Sequence, residues 1–416
     1  MGKYVIKGGR KLEGRLRCES AKNAVLPMMA AALLTEGEVI IRNCPAISDV
    51  ADMAEIMRAL GADVRFCGGD LVINSAGLNS YTVPEHAARK IRTSVLMLGA
   101  LLSRAGKAIT VCPGGCDLGG RPLDFHISAL TALGAEIDFA GDKIIACTSK
   151  RRGAEIRFPF PSVGATENAL LYAVTAKGIT RIHNAAREPE ITDLCGMLNS
   201  MGACIGGAGS SDITVYGVKR LKGTVYTPVG DRIEAGTYLI AAAVTGGKLE
   251  ISGIKSENIL SLLGKLRDNT CKIEIKNDII YLQSVNRGRA FSVRTGPFPD
   301  FPTDLQAIIT PLACIAEGVS EIEETVFGDR FRHTVELVKM GADITVSERA
   351  ARIKGVKALT GAKVCATDLR CGAALVLAGL AAEGRTTVQN SCYVERGYAG
   401  FEEKLRMLGA DIVKKE

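Results

Sequence analysis

The chain of 416 residues has no tryptophan, and its aromatic fraction is only 5%. A stacking platform for single-stranded nucleic acid needs exposed rings, so that class of function is disfavoured. Long apolar runs are also missing. The longest, Ala24 to Leu34 and Leu239 to Val244, fall far short of a membrane span. The segment from Met1 to Gly14 is polar and glycine-rich and lacks the apolar stretch of a secretory signal. No basic tail or arm is present; the net charge of +7 is spread over scattered Lys and Arg residues. That balance suits an anionic small substrate at least as well as nucleic acid.

Cysteine is plentiful by contrast, with 13 residues at irregular spacing. Without a signal segment, this pattern points to a cytosolic protein with reduced thiols. Cys112 and Cys116 form one C-x-x-x-C pair, but no second pair or nearby histidine completes a zinc set, so no metal is expected. The length exceeds what one hydrophobic core supports and predicts two domains.

An internal repeat of about 70 residues organises the chain. One marker is a small-residue turn between helix and strand, as in Leu60-Gly61-Ala62-Asp63, Leu133-Gly134-Ala135-Glu136, Met201-Gly202-Ala203-Cys204, Met340-Gly341-Ala342-Asp343 and Leu408-Gly409-Ala410-Asp411. A sixth, degraded copy falls within Leu266 to Ile273. The second marker is an Ala/Leu-rich helix, apolar nearly all round, followed by glycine and a β-branched strand. Such helices belong inside, with the strands wrapped around them. The copies group as three and three. This predicts a domain of residues 22–229 carrying a glycine-rich lid loop, and a second domain of residues 1–21 and 230–416. The opening strand around Tyr4-Val5-Ile6 and the Leu12–Leu16 segment are expected to pair into the second domain. The chain then crosses twice, which suggests a hinge and a cleft.

Polar and charged residues gather just before each buried helix: Lys22-Asn23, Arg92, Ser162-Val163-Gly164, Asp231-Arg232, Thr303-Asp304 and Asp368-Leu369-Arg370. Helix starts carry N–H groups and a positive dipole end that favour phosphates. For Ser, Thr and Asp, plain capping is the competing explanation. It fails for Lys22 and Arg92, since a cation opposes the dipole and needs another reason. The loop Pro113 to Pro122 has glycines at 114, 115, 119 and 120, a central Cys116 and a closing Arg121. It reads either as a lid that carries its own catalytic group or as a surface loop with an incidental cysteine. Cys112 reads as inert strand packing. His126 is as often structural as functional at a helix start and stays outside the catalytic set.

Together, Lys22-Asn23, Pro113-Gly114-Gly115-Cys116, Arg121-Pro122-Leu123-Asp124, Ser162-Val163-Gly164-Ala165-Thr166, Phe301-Pro302-Thr303-Asp304, Glu324-Thr325-Val326-Phe327 with Arg330, Thr367-Asp368-Leu369-Arg370 and Arg396-Gly397-Tyr398 resemble the UDP-N-acetylglucosamine 1-carboxyvinyltransferase (MurA) family of enolpyruvyl transferases. The resemblance runs essentially end to end. It implies a two-domain inside-out α/β barrel built from six β/α repeats. It also implies a monomeric cytoplasmic enzyme that uses phosphoenolpyruvate and UDP-N-acetylglucosamine in peptidoglycan synthesis. No cofactor, metal, nucleic acid or membrane is implied.

The same resemblance assigns roles. Cys116 on the lid would be the acid and the thiol trapped by fosfomycin, and Asp304 would be the base. Lys22, Arg121 and Arg396 would clamp phosphoenolpyruvate. Asn23, Arg92, Arg121, Pro122, Leu123, Asp124, Phe125, Ser162, Val163, Gly164, Asp304, Val326, Arg330 and Arg370 would contribute to substrate binding. Some positions depart from the family pattern: Phe160 and Ser48 stand where some relatives carry lysine, and Cys371-Gly372 replaces a small-residue pair after Arg370, which touches affinity more than reaction type. The alternatives are another enolpyruvyl transferase, such as enolpyruvylshikimate-phosphate synthase, or a non-catalytic anion- or RNA-binding relative.

Overall fold

The computed structural model describes residues 2–114, 123–285 and 287–416. The chain divides into two compact units. One takes the residues up to Glu19 together with Gly230–Glu416; the other takes the described residues between Ser20 and Val229.

In the unit after Ser20, three apolar helices supply the centre: Lys22–Ala32, Met97–Ala105 and Val163–Ala173. From Ala24 to Ala32 every residue is buried, and so is every residue from Ala165 to Ala173. Helices without a polar face cannot lie on a surface, so the sheets cover them. Three sheets do so. Val39–Ile41, Asp63–Cys67, Asp70–Asn74 and Thr224–Tyr226 make the first; Lys107–Val111, Glu136–Ala140 and Lys143–Cys147 the second; Glu155–Arg157, Ile179–His183, Cys204–Gly206 and Asp212–Tyr216 the third.

The other unit repeats the plan. Its central helices are Arg232–Val244, buried at all 13 positions, Gln306–Ile315, buried at all 10, and Leu369–Ala381. Three four-stranded sheets surround them. The N-terminal strand Lys3–Lys7 lies antiparallel between Arg385–Gln389 and Asp411–Lys415, with Tyr4 opposite Val388 and Lys414. Strand Glu13–Arg17 runs parallel to Lys248–Ser252. The first residues of the chain therefore complete two sheets made by its second half.

The expected inside-out arrangement is found in both units, with the apolar helices inside and the sheets around them. Among the described residues no sheet closes on itself; each ends in free edges after three or four strands. Closing a barrel around side chains takes about eight strands. Here the helical trio already fills the interior, so three short sheets suffice to cover it.

The repeat turns explain themselves through one dihedral. Gly61, Gly134, Gly202, Gly341 and Gly409 all have φ between 85° and 101°, a region where a Cβ is disfavoured. At the degraded sixth copy Thr270 takes the position, with φ of 73°. The turn geometry outlasted the glycine.

Candidate active site

In the unit built from the chain's two ends, Asp304 is the centre of a charged cluster. It sits in the 3-10 turn Thr303–Leu305 that leads into the Gln306 helix. Its Oδ1 accepts from Arg330 at 2.7 Å and its Oδ2 from Arg370 at 3.1 Å. The two arginine side chains are only 3% and 10% exposed, and Asp304 is 28% exposed. Burial alone would raise the Asp304 pKa, but Arg370 and Arg330 outweigh it and hold the carboxyl far below the usual carboxylate range.

Arg370 reaches further. Its Nη1 donates to the Tyr398 hydroxyl at 3.3 Å. The Thr237 hydroxyl gives its one hydrogen to the Ile233 carbonyl at 2.7 Å. The 2.7 Å contact between Thr237 and Tyr398 must therefore have Tyr398 donating. This chain ties the starts of all three central helices together. Arg396 stands in the same turn as Tyr398 and is half-buried.

Val326 is positioned by a residue of its own motif to which the sequence assigned no role. Glu324 is 1% exposed. Its Oε1 accepts the N–H groups of Val326 and Phe327 at 2.8 and 3.1 Å, and its Oε2 accepts the Thr303 hydroxyl at 2.8 Å. One buried carboxylate thus fixes the Val326 turn against the turn that carries Asp304.

In the other unit, Lys22 opens its helix and places Nζ 2.6 Å from Oδ2 of Asp49, with both side chains largely buried. Asp49 lies in the first turn of the helix Ser48–Ala59. This is the reason a cation at a helix start required, and the sequence reading had not found its partner. Asn23 follows on the same turn. Arg92 begins the 3-10 turn Arg92–Leu96, and burial lowers its pKa. Arg92, Cys112, Leu123, Asp124, Ile127 and Phe139 line a cavity of about 860 Å³. Phe125 packs against Phe158 at a centroid distance of 6.3 Å. Ser162 caps the helix Val163–Ala173, accepting the Ala165 N–H at 3.4 Å. Cys116, Arg121 and Pro122 lie outside the described residues.

One choice is decided and one expectation corrected. The Ser, Thr and Asp helix starts were read either as open N–H groups or as plainly capped. At Asp231 and Asp368 the cap carboxylate takes two N–H groups each: Ile233 and Glu234 at 2.8 and 3.0 Å, and Arg370 and Cys371 at 2.8 and 3.1 Å. A negative cap occupies these donors and disfavours an anion at those tips. Cys112, taken as strand packing, is exposed, because its strand ends at Val111. Among the described residues no set of three or more His, Cys, Asp or Glu could hold a metal, and no helix is long and apolar enough to cross a membrane.

This arrangement can be set beside known proteins. A family model described as EPSP synthase (3-phosphoshikimate 1-carboxyvinyltransferase) matches residues 6–405. The chain belongs to this enolpyruvyl transferase family. Within the family it is 47% identical over 415 residues, covering all of both chains, to UDP-N-acetylglucosamine 1-carboxyvinyltransferase 2 of Caldanaerobacter subterraneus subsp. tengcongensis. It is 43% identical over 421 residues, 99% of each chain, to UDP-N-acetylglucosamine 1-carboxyvinyltransferase of Novosphingobium aromaticivorans. Among solved structures, the enolpyruvyl transferase NikO from Streptomyces tendae superposes with a TM-score of 0.90 at 26% identity, over 100% of this chain and 99% of that one. EPSP synthase from Acinetobacter baumannii shares the fold, with a TM-score of 0.78 at 18% identity over the whole of both chains.

Proposed function

We propose that this chain transfers the enolpyruvyl group of phosphoenolpyruvate to the 3′-hydroxyl of UDP-N-acetylglucosamine, releasing phosphate, as the first committed step of peptidoglycan synthesis in the cytoplasm. The observation that carries the reading is full-length similarity at 43–47% identity to enzymes of that name. The Asp304 cluster supports it.

The reaction is an addition followed by an elimination. The sugar oxygen attacks C2 of phosphoenolpyruvate while C3 gains a proton, giving a tetrahedral ketal. Loss of the C3 proton and departure of phosphate then restore the double bond. Cys116 gives the C3 proton and Asp304 takes the hydroxyl proton. Lys22, Arg121 and Arg396 hold the phosphate and carboxylate and offset the charge that develops on them. A carboxylate between two guanidiniums is a weak base. Asp304 therefore parts from one arginine as the hydroxyl arrives, and its basicity rises only when substrate is in place. Arg92, Leu123 to Phe125, the Ser162–Gly164 turn and Val326 receive the UDP-sugar.

The deciding assay is phosphate release. Phosphoenolpyruvate with UDP-N-acetylglucosamine should give turnover, and phosphoenolpyruvate with shikimate 3-phosphate should not. The reverse pattern, or none with either acceptor, rejects the reading.

A further inference from the structure

Gln306 begins the helix Gln306–Ile315 and is 0% exposed, yet neither its Oε1 nor its Nε2 has a hydrogen-bond partner among the described residues. A side-chain amide carries two donor hydrogens and an acceptor oxygen, and burying them unmet costs stability. Most buried side-chain polar atoms are paired, so an amide open at both ends needs a reason. A methionine of similar volume would fill the same space without that cost.

Its placement supplies one. Gln306 follows Asp304 by two residues, directly after the turn Thr303–Leu305. It shares a helix face with Thr310, one turn further on. The Thr310 hydroxyl gives its hydrogen to the Gln306 carbonyl at 2.9 Å, so at its 3.0 Å contact with His333 it accepts and Nε2 of His333 donates. His333 lies three residues after Arg330. This face of the helix is thereby joined to the segment that delivers Arg330 to Asp304. Arg330 and Arg370 also differ in what holds them besides Asp304. Arg370 has a second acceptor, the Tyr398 hydroxyl at 3.3 Å. The Arg330 guanidinium has no acceptor other than Asp304 among the described residues; the ring of Phe327 lies 5.3 Å from its Cζ.

Turning towards a substrate hydroxyl takes Asp304 off one of the two arginines. Release of Arg370 leaves it with Tyr398, and the open amide of Gln306 then has a cost and no role. Release of Arg330 leaves a guanidinium whose side chain is 3% exposed without an acceptor, unless the open Oε1 supplies one. We propose that Gln306 is a positioning residue: its Oε1 accepts the Arg330 N–H that Asp304 gives up as the sugar hydroxyl arrives. The amide stays open in the resting enzyme and is filled when the base is set free. This rests on Asp304 acting as the base in the reaction proposed above.

Gln306→Met in the full chain keeps a similar volume and removes the acceptor. Its Tm should equal or exceed that of the wild type, because an unmet amide is gone. Its kcat/KM for UDP-N-acetylglucosamine should fall about 10- to 100-fold, the loss of one hydrogen bond to a charged group, while the KM for phosphoenolpyruvate stays unchanged. In an Asp304→Asn background the same change should lower the remaining kcat/KM no further, since Gln306 acts only through the freed carboxylate. A crystal structure of the wild type with UDP-N-acetylglucosamine gives a readout that does not depend on the variant folding. There Oε1 of Gln306 should lie within about 3.2 Å of an Arg330 side-chain nitrogen. Both arginines still on Asp304 with the amide open or holding only a water, an unchanged kcat/KM, a Tm below wild type, or additive losses in the double variant overturns the inference and leaves the enzyme's function standing. A wild type that releases no phosphate from phosphoenolpyruvate and UDP-N-acetylglucosamine ends both.

Discussion

The ammonium of Lys22 and the carboxylate of Asp49 lie 2.6 Å apart, 13% and 5% exposed. A positive charge at a helix start is opposed by the dipole. Asp49, on the next helix, offsets that opposition and holds Lys22 in one position. Asp49→Asn keeps the shape and removes the charge. The KM for phosphoenolpyruvate should then rise by roughly 10-fold or more, as for a weakened charge-assisted hydrogen bond. UDP-N-acetylglucosamine affinity should stay close to wild type. An unchanged KM in steady-state kinetics would show that Lys22 does not depend on Asp49.

Asp304→Asn keeps the shape and one acceptor oxygen for Arg330 or Arg370, loses the other of the two hydrogen bonds because an amide NH2 cannot accept, and removes the carboxylate as a proton acceptor. Turnover should fall by roughly 10²- to 10⁴-fold, the usual span for general base catalysis, with UDP-N-acetylglucosamine still bound. The folded pKa of Asp304 is depressed, so its ion pairs stabilise the fold above the ordinary carboxylate range and lose that effect only as pH falls below it. In the free enzyme Asp304 should not titrate between pH 5 and 9. Near-normal turnover of the variant would remove Asp304 from the mechanism.

Glu234 behaves in the opposite sense. Burial pushes its pKa up to about 7, although Lys404 at 2.7 Å pulls it down. In the unfolded chain a glutamate loses its proton near pH ~4.3. Between that pH and about 7 the folded protein binds more protons, so this group's contribution to stability declines as pH rises and levels off above. Glu234→Gln should flatten the fall of Tm measured from pH 5 to 8. A slope equal to wild type would show that Glu234 ionises normally.

Cys116→Ser should lose most turnover and all covalent labelling by fosfomycin, read by intact-protein mass spectrometry. Labelling of the variant at full stoichiometry would place the reactive thiol elsewhere, and the exposed Cys112 would become the candidate.

Much of the architecture was legible because its signals are local. Helices without a polar face must be buried, and a Gly-Ala turn recurring at a fixed interval marks equivalent corners of equivalent units. Even Thr270 obeys the turn, with φ of 73° in the glycine region. The candidate residues were legible as types at helix starts, but their states were not. Asp231 and Asp368 turned out to spend their carboxylates on their own helices. Glu324 looked like one polar residue among several, yet it organises the Val326 turn.

The chain's pattern of apolar helices and small-residue turns determined two three-helix units clad in short sheets, since burying those helices leaves few other arrangements. Pairing was decided by tertiary structure alone. Asp304 meets partners 26 and 66 residues away, and the buried amide of Asn168 meets His126, 42 residues earlier. Contacts at such separations depend on how helices pack, and packing is not written in any local run of residues. The electrostatics of the site follow from those contacts, so composition could name its charges while only the fold could say which are neutralised.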